Sequence, residues 1–413
     1  MKVLLVSSKY QPEYSGSGLR AHRTHVRLNQ NYEVVTEVIA SGVEFTNSDN
    51  YELDGLNVNR VLSTKLRKIH WAIGKGPIRR LTNSVVFHHE ARRVNKLLAD
   101  KKYDLVHVFG YSPATVAAVL WARRNNVPLI LELVNVVLSP YQYLPGTRKF
   151  TSYNLNENTV VVALSEQLEQ ISERAGLTGN IWVRPNPVDT QRFKPVDDEA
   201  RNVAKKELFG FESNVRTIVY IAKFLKRKNH SFLIDVLAKL PENYRLILGG
   251  PPLPKIHSVP GLTESDLPTL QAKANKLGVG DRLLIQPGFV DFAKYLEAAD
   301  ITCFPSENEG MGTPLLESLA ANIPVIANSD EPSFRQHIKD GFNGFLRPLA
   351  PSKWAEAITN TEQFSGDQKD QFSAEIRSRY STEKIDENYY RLMQRLIAAD
   401  GDEKIDVRQE LNI

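Results

Sequence analysis

Ile301-Thr302-Cys303-Phe304-Pro305-Ser306-Glu307-Asn308-Glu309-Gly310-Met311-Gly312-Thr313-Pro314-Leu315-Leu316-Glu317 passes from a largely apolar run through a glycine-rich turn into a helical pattern. Pro314 stands in the first helical turn, where its missing N–H has no intrahelical partner to lose. A helix that begins this way presents unpaired backbone N–H groups and the positive end of its dipole, which suits a diphosphate. Glu309 and Glu317 lie eight residues apart, one before the turn and one on the helix, so they can reach different parts of one bound ligand. A carboxylate accepts two hydroxyl hydrogen bonds, as ribose or a hexose would offer.

The same alternation of strand and helix extends in both directions from this stretch. Upstream, Val3–Val6, Val34–Ala40, Leu105–Phe109, Leu129–Val134, Val160–Leu164 and Ile181–Val183 read as strands, with helices at Ala91–Leu98, Ala114–Arg124 and Glu166–Ala175. Nearer to it, strands are expected at Thr217–Ile221, Arg245–Leu248, Arg282–Ile285 and Val325–Ala327, with helices at Ser231–Leu240, Leu270–Leu277 and Pro314–Ala321. Near-continuous apolar strands imply sheets covered on both faces, hence an α/β chain of two Rossmann-like, doubly wound domains facing a central cleft. Arg184-Pro185-Asn186-Pro187-Val188-Asp189 cannot continue a helix or a central strand, and the boundary is placed near Arg192. The first domain is then 1–192, the second 193–380, with a helix at 381–399 returning to the first. A polar tail at 400–413 is expected to fray.

The 413 residues allow two or three domains, and 42% apolar with 24% charged residues excludes a disordered or collagen-like chain. A single cysteine, Cys303, excludes an internal disulfide and a cysteine-based zinc site. The four apolar residues Val3–Val6 are too few for a signal peptide, and the longest nearly apolar stretch, Ala114–Ala122, is too short to cross a bilayer. Charge is distributed unevenly. Between Arg60 and Lys102 stand twelve basic residues against Glu90 and Asp100, a local excess of +10 within a chain of net +4.

The Glu309-to-Glu317 motif, with Gly310, Met311, Gly312, Thr313 and Pro314 between its carboxylates, resembles the donor-site signature of the retaining glycosyltransferases of family 4, which have the GT-B fold. Ser17-Gly18 is similar to that family's glycine-rich loop, Ser165-Glu166 to its Ser-Glu pair, Pro185 to Asp189 to its Pro-Asn-Gly-Val-Asp segment, and Gly341-Phe342-Asn343-Gly344 to its Gly-x-Asn-Gly turn. The resemblance covers most of the chain. It implies transfer of a sugar from a nucleotide donor, UDP- or GDP-linked, to an acceptor hydroxyl with retained anomeric configuration. It further implies no cofactor beyond that co-substrate, and diphosphate neutralisation without a metal. In this reading Glu309 contacts the transferred sugar, Glu317 the ribose, and Gly310 to Thr313 the phosphates. Gly16 and Gly18 also line the donor, while Asn186 lies near the sugar.

Two departures qualify the match. The family's diphosphate-gripping Arg and Lys correspond to Lys223 and Lys228, so an ammonium without a bidentate fork replaces the guanidinium. The family's His-x-His corresponds to His107-Val108-Phe109, and Phe109 can neither move a proton nor accept a hydrogen bond. His107 is the nearest substitute, and its plainer reading is a core histidine. Lys223 to Lys228 reads equally as a solvated basic loop, and Gly16 to Gly18 as a plain turn. These departures keep a non-catalytic sugar-nucleotide-binding or partner-binding protein in view, and behind it a phosphorylase or epimerase of the same architecture.

Within the basic window, Lys65-Leu66-Arg67-Lys68-Ile69-His70-Trp71-Ala72-Ile73 mixes cations with bulky apolar side chains, as does a helix lying on anionic lipid. A solvated basic surface is the plainer alternative, and nucleic acid is not expected because no stacking platform accompanies the charge. The resulting expectation is a cytoplasmic enzyme of glycan, glycolipid or cell-surface polysaccharide synthesis, peripheral to the inner face of a membrane through segment 60–102. A glycan, lipid-linked or small-molecule acceptor completes it.

Overall fold

The computed structural model describes residues 1–13, 15–41, 50–61, 64–72, 77–133, 154–184, 186–250, 267–307, 309, 312–399 and 403–412. The chain divides into two compact units, Met1–Arg184 with Asp386–Ile413, and Pro185–Ile385.

Unit 1 runs β1 (Lys2–Ser7), α1 (Gly16–Asn31), β2 (Val35–Ala40), β3 (Asn50–Leu53), β4 (Leu56–Arg60), α2 (Thr64–Ala72), α3 (Pro77–Leu98), β5 (Leu105–Phe109), α4 (Pro113–Arg124), β6 (Leu129–Leu133), β7 (Thr159–Ala163), α5 (Glu166–Arg174) and β8 (Ile181–Val183). Its sheet has the order β3-β4-β2-β1-β5-β6-β7-β8, parallel except for the β3–β4 hairpin. Every residue of β5, β6 and β7 is buried, as strands covered on both faces by crossover helices must be. The hairpin, absent from the sequence reading, turns on Asp54-Gly55, both with positive φ, the backbone that a tight hairpin requires.

Two expectations are corrected here. Gly16-Ser17-Gly18 is the first turn of α1 and not a loop, with the Ser15 hydroxyl accepting from the Gly18 N–H at 3.2 Å. A Cβ on Gly18 would sit 2.3 Å from the Lys9 carbonyl oxygen, so close backbone packing alone demands glycine there, whereas Gly16 faces open space. The C-terminal tail does not fray. It forms α15 (Val407–Leu411) after α14 (Thr382–Ala398), with Ile405, Val407 and Leu411 buried and Arg395 paired to Glu410 at 2.8 Å. Residues 400–402 and 413 lie outside the described residues.

Unit 2 runs α6 (Asp198–Phe209), β9 (Arg216–Ile221), a 3-10 turn (Lys226–Lys228), α7 (His230–Leu237), β10 (Tyr244–Gly250), α8 (Leu267–Lys276), β11 (Leu283–Pro287), α9 (Phe292–Glu297), β12 (Ile301–Phe304), α10 (Thr313–Ala320), β13 (Val325–Asn328), α11 (Pro332–Arg335), β14 (Gly344–Arg347), α12 (Pro351–Asn360) and α13 (Gly366–Tyr380). Its six parallel strands have the order β11-β10-β9-β12-β13-β14. The chain enters this unit at Pro185, ahead of the expected Arg192. The segment after Pro187 is stitched to α13, with the Val188 N–H donating to the Tyr380 carbonyl at 2.7 Å and Arg377 to the carbonyls of Thr190 and Phe193 at 2.9 and 3.0 Å. The expected returning helix is α14, which counts with unit 1 from Asp386 onward.

Unit 1 is organised around a fully buried carboxylate. Glu132 on β6 accepts from Arg184 at 3.1 Å and from the Tyr389 hydroxyl of α14, with Arg20 of α1 at 3.7 Å and His107 Nε2 at 3.4 Å. Burial raises its pKa, but Arg184 first, then His107 and Arg20, outweigh that and hold the carboxyl down at about 2. Removing one member of such a cluster strands the other charges in a dry interior. Glu132→Ala should therefore cost about 3–5 kcal/mol in denaturant unfolding, the range for breaking a buried ion pair. An unchanged midpoint would show that the cluster contributes nothing net.

Candidate functional site

The C-terminal ends of β9, β12 and β13, neighbours in the sheet of unit 2, carry three loops that bond to one another. Ligands in open α/β sheets bind at this edge. The Tyr220 hydroxyl at the end of β9 donates to the Lys228 carbonyl at 2.9 Å and meets the Ser306 hydroxyl at 2.7 Å, tying the 3-10 turn to the loop after β12. Asn229, held at φ 53°, donates to the Pro305 carbonyl at 2.9 Å and to Glu307 at 3.1 Å. The Glu307 N–H returns a bond to the Arg227 carbonyl at 2.9 Å.

On this frame the Lys228 ammonium pairs with the Glu309 carboxylate, with Arg227 at 3.6 Å from the same oxygen. Burial lowers the Lys228 pKa, Glu309 opposes the shift, and the cations Arg227 and Lys223 add to it. Lys223 itself is exposed at the end of β9. The Glu309 backbone is fixed from the other side, its N–H donating at 3.0 Å to Glu331, a buried carboxylate on the loop after β13. Glu331 also accepts from the Ser333 N–H and hydroxyl, capping α11.

Next to Glu309 begins α10. Gly312 at its N-cap has φ 68°, and a Cβ there would lie 2.7 Å from the Phe334 ring, so glycine is required by conformation and by space. Thr313 accepts from the Asn186 amide at 2.8 Å, which joins two residues expected near the donor. Gly310 and Met311 lie outside the described residues. Glu317, one turn into α10, is half-buried. Burial pushes its carboxyl up to about 7, Asp189 adds to the rise and Arg192 opposes it.

The family model for glycosyl transferases group 1 matches residues 204–379, and that for glycosyltransferase family 4 matches residues 59–192. Together the two matches span most of the chain and support a glycosyltransferase of the family 4 type. It is 29% identical over 279 residues to the D-inositol 3-phosphate glycosyltransferase of Xylanimonas cellulosilytica, 62% of this chain and 63% of that protein. It is 32% identical over 166 residues to the putative glycosyltransferase EpsD of Bacillus subtilis, 40% of each chain. The match thus spans less than two thirds of either relative. Among solved structures, Anabaena HepE in complex with UDP and glucose superposes with a TM-score of 0.65 at 18% identity, over 96% of this chain and all of that one. Sucrose-phosphate synthase of Thermosynechococcus elongatus gives 0.71 at 18% identity, over 97% of this chain and all of that one. The fold is GT-B.

In unit 1, His107 and Phe109 are both fully buried. His107 Nδ1 meets His25 Nε2 at 3.0 Å, and His25 Nδ1 meets the Thr36 hydroxyl at 3.0 Å, so a chain of side chains runs from β2 through α1 and β5 to Glu132. Burial lowers the pKa of both histidines. Phe109 packs on His107 with ring centroids 4.6 Å apart and lies 5.7 Å beneath the Arg20 guanidinium. The aromatic thus fills an apolar slot beside a cation, which explains how the protein accommodates it where the family has histidine.

The sequence reading missed Tyr220, Ser306, Asn229 and Glu331. Only Glu331-Pro332 carried a local signal, a capping residue before a proline in the first helical turn, as in Gly312-Thr313-Pro314. The Glu317 carboxyl yields a test that needs no ligand. A carboxyl whose folded pKa is raised from its ordinary 4.5 to about 7 favours the fold while protonated, and that contribution is lost as pH rises between those values. Glu317→Gln should therefore gain stability relative to the native chain across this interval, read as the difference of their melting temperatures. A difference constant with pH would place Glu317 in solvent.

Proposed function

We propose that the chain is a retaining glycosyltransferase that passes a hexosyl group from a UDP- or GDP-linked donor to an acceptor hydroxyl in glycan, glycolipid or cell-surface polysaccharide synthesis. The observation that carries this reading is the Lys228–Glu309 pair at the mouth of α10, with Arg227 beside it. A bound diphosphate would compete with Glu309 for Lys228 and be met further by Arg227, Lys223 and the N-terminus of α10, without a metal ion. Glu309, released from Lys228 but held by Glu331 through its backbone, would then accept from sugar hydroxyls. Glu317 stands further along α10, where a ribose would lie. HepE, a structural neighbour, is described in complex with UDP and glucose, which favours a uridine nucleotide as the first donor to try.

In the transfer the anomeric carbon–oxygen bond to the diphosphate breaks, and its electron pair leaves on the phosphate oxygen. The acceptor hydroxyl adds to the same face of the oxocarbenium-like centre, and its proton passes to that departing oxygen. The protein supplies position and charge rather than a covalent nucleophile. A proton relay at Phe109 has no part in this scheme. Phe109 and Lys223 in place of the family's histidine and arginine motivate the second reading, a sugar-nucleotide binder without turnover. Peripheral contact of segment 60–102 with an anionic membrane, and a glycan or lipid-linked acceptor, belong to the first.

Thermal unfolding with UDP, GDP, ADP and their sugar conjugates tests the donor site. A ligand at about 100 times its Kd stabilises by about 2.7 kcal/mol. One nucleotide should shift the native chain. Lys228→Ala should lose most of that shift, while Glu309→Ala should keep the shift by the free nucleotide and lose the increment due to the sugar. A chain shifted by none of them has no donor site, and product formation with a mixed acceptor extract separates transferase from binder.

A further inference from the structure

Helix α3 buries Val86, Glu90, Val94 and Leu98 and turns a different stripe to solvent. Ile78, Leu81 and Val85 on its first three turns are 65%, 67% and 48% exposed. They recur at three- and four-residue steps and so share one side of the helix. The same side continues through His89, Arg92 and Lys96, all exposed. Ile69 of α2 is 57% exposed, and α2 is tied to α3 by His70 and Thr82 at 2.9 Å. The face therefore has an aliphatic end and a cationic end.

Its charge is one-sided. Glu90 is the sole carboxylate between Thr64 and Leu98, and it is fully buried. Arg60, counted in the basic window, is buried too and spends its guanidinium on the Tyr10 carbonyl at 2.8 Å, so it takes no part. Among the described residues, the exposed cations of these helices are Lys68 on α2 and Arg92 and Lys96 on α3, with Lys101 and Lys102 beyond α3. Beside the stripe a groove of about 560 Å³ runs between α3 and α4, walled by Phe87, Ala91, Val116 and Leu120. His88 lies on the rim that groove and stripe share. Large exposed aliphatic side chains in one row favour a hydrocarbon phase, and the stripe itself, from Ile78 to Lys96, carries no Phe, Tyr or Trp on which a base could stack.

We propose that this face of α3 seats unit 1 on an anionic lipid bilayer, with Ile78, Leu81 and Val85 entering the interface and Arg92 and Lys96 lying against the headgroups. The inference deepens the membrane contact of the preceding reading and rests on that contact alone, not on the transfer chemistry. It assigns the seat to the apolar turns of one helix, with charge in the supporting role. Cations near a charged membrane surface attract it over roughly a Debye length, about 8 Å at physiological salt, so they guide approach, while the aliphatic side chains hold the protein in place.

Sedimentation of the full chain with phosphatidylcholine vesicles, with and without about a third of phosphatidylglycerol, tests this by direct binding. The native chain should bind the anionic vesicles and leave the zwitterionic ones. The double variant Leu81→Gln, Val85→Gln, which keeps charge and helix propensity, should bind at least tenfold more weakly at moderate salt. Arg92→Gln with Lys96→Gln should weaken binding most at low salt. Val203→Gln, an equally exposed aliphatic position on α6 of unit 2, should change nothing, and matching melting temperatures certify the folds. Absence of binding to anionic vesicles overturns both the membrane contact and this seat. Native-like binding by the Leu81 and Val85 variant overturns the seat alone, leaving a contact made by charge. Tighter binding to single-stranded RNA than to vesicles would assign the face to nucleic acid instead.

Discussion

A carboxylate with no access to water, Glu132, sets the terms on which unit 1 folds. An isolated charge there would be prohibitive, so the protein must bring Arg184, Arg20, His107 and Tyr389 to it from the end of β8, from α1, from β5 and from α14. The cluster thereby makes the last helix part of the first unit. Arg27 donates to Asp386 at 2.6 Å and Tyr390 packs on Tyr32 with ring centroids 4.6 Å apart, so the first half of the helix is held by α1 and its C-cap. A hydrophobic cluster of similar volume could be as stable. The ionic version adds direction, because only one register of α14 places Tyr389 on Glu132.

The same requirement explains the histidines. Once Glu132 is balanced by two guanidinium groups, a protonated His107 would add a third positive charge in a dry site, and burial drives both His107 and His25 toward the neutral form. Neutral rings can share one hydrogen between nitrogens and pass the chain on to Thr36. Phe109 sits at the edge of this array, where a second imidazole would need a partner of its own.

Strand positions were legible in the sequence because they depend on local pattern: Leu105–Phe109, Ile181–Val183 and Ile301–Phe304 fall where their apolar runs predict. What escaped was set by contacts distant along the chain. Gly16-Ser17-Gly18 reads as a loop until the Lys9 carbonyl is known to press on Gly18. The tail reads as frayed because its few apolar residues, Ile405, Val407 and Leu411, have partners that only the fold supplies. The Asp54-Gly55 hairpin carried an adequate local signal and was passed over. In the candidate site Glu309, Lys228, Thr313 and Asn186 could be named from spacing and resemblance. Glu331 and Tyr220 could not, because each works on a loop from a neighbouring strand.

That division between named and unnamed residues follows from what a site for a charged, exchangeable ligand must do. In the proposed donor site Lys228 would have to be ready for a dianion without standing as an uncompensated charge, and Glu309 is the counterion paired with it. The pairing would defeat binding if it were rigid, since Glu309 would hold the cation against the ligand. The bond from the Glu309 backbone N–H to Glu331 anchors the main chain at that residue and does not engage its carboxylate, so the ion pair could exchange without moving the anchor. A carboxylate can therefore serve as place-holder for a diphosphate and as partner for a sugar in turn, provided its main chain is anchored from a separate strand.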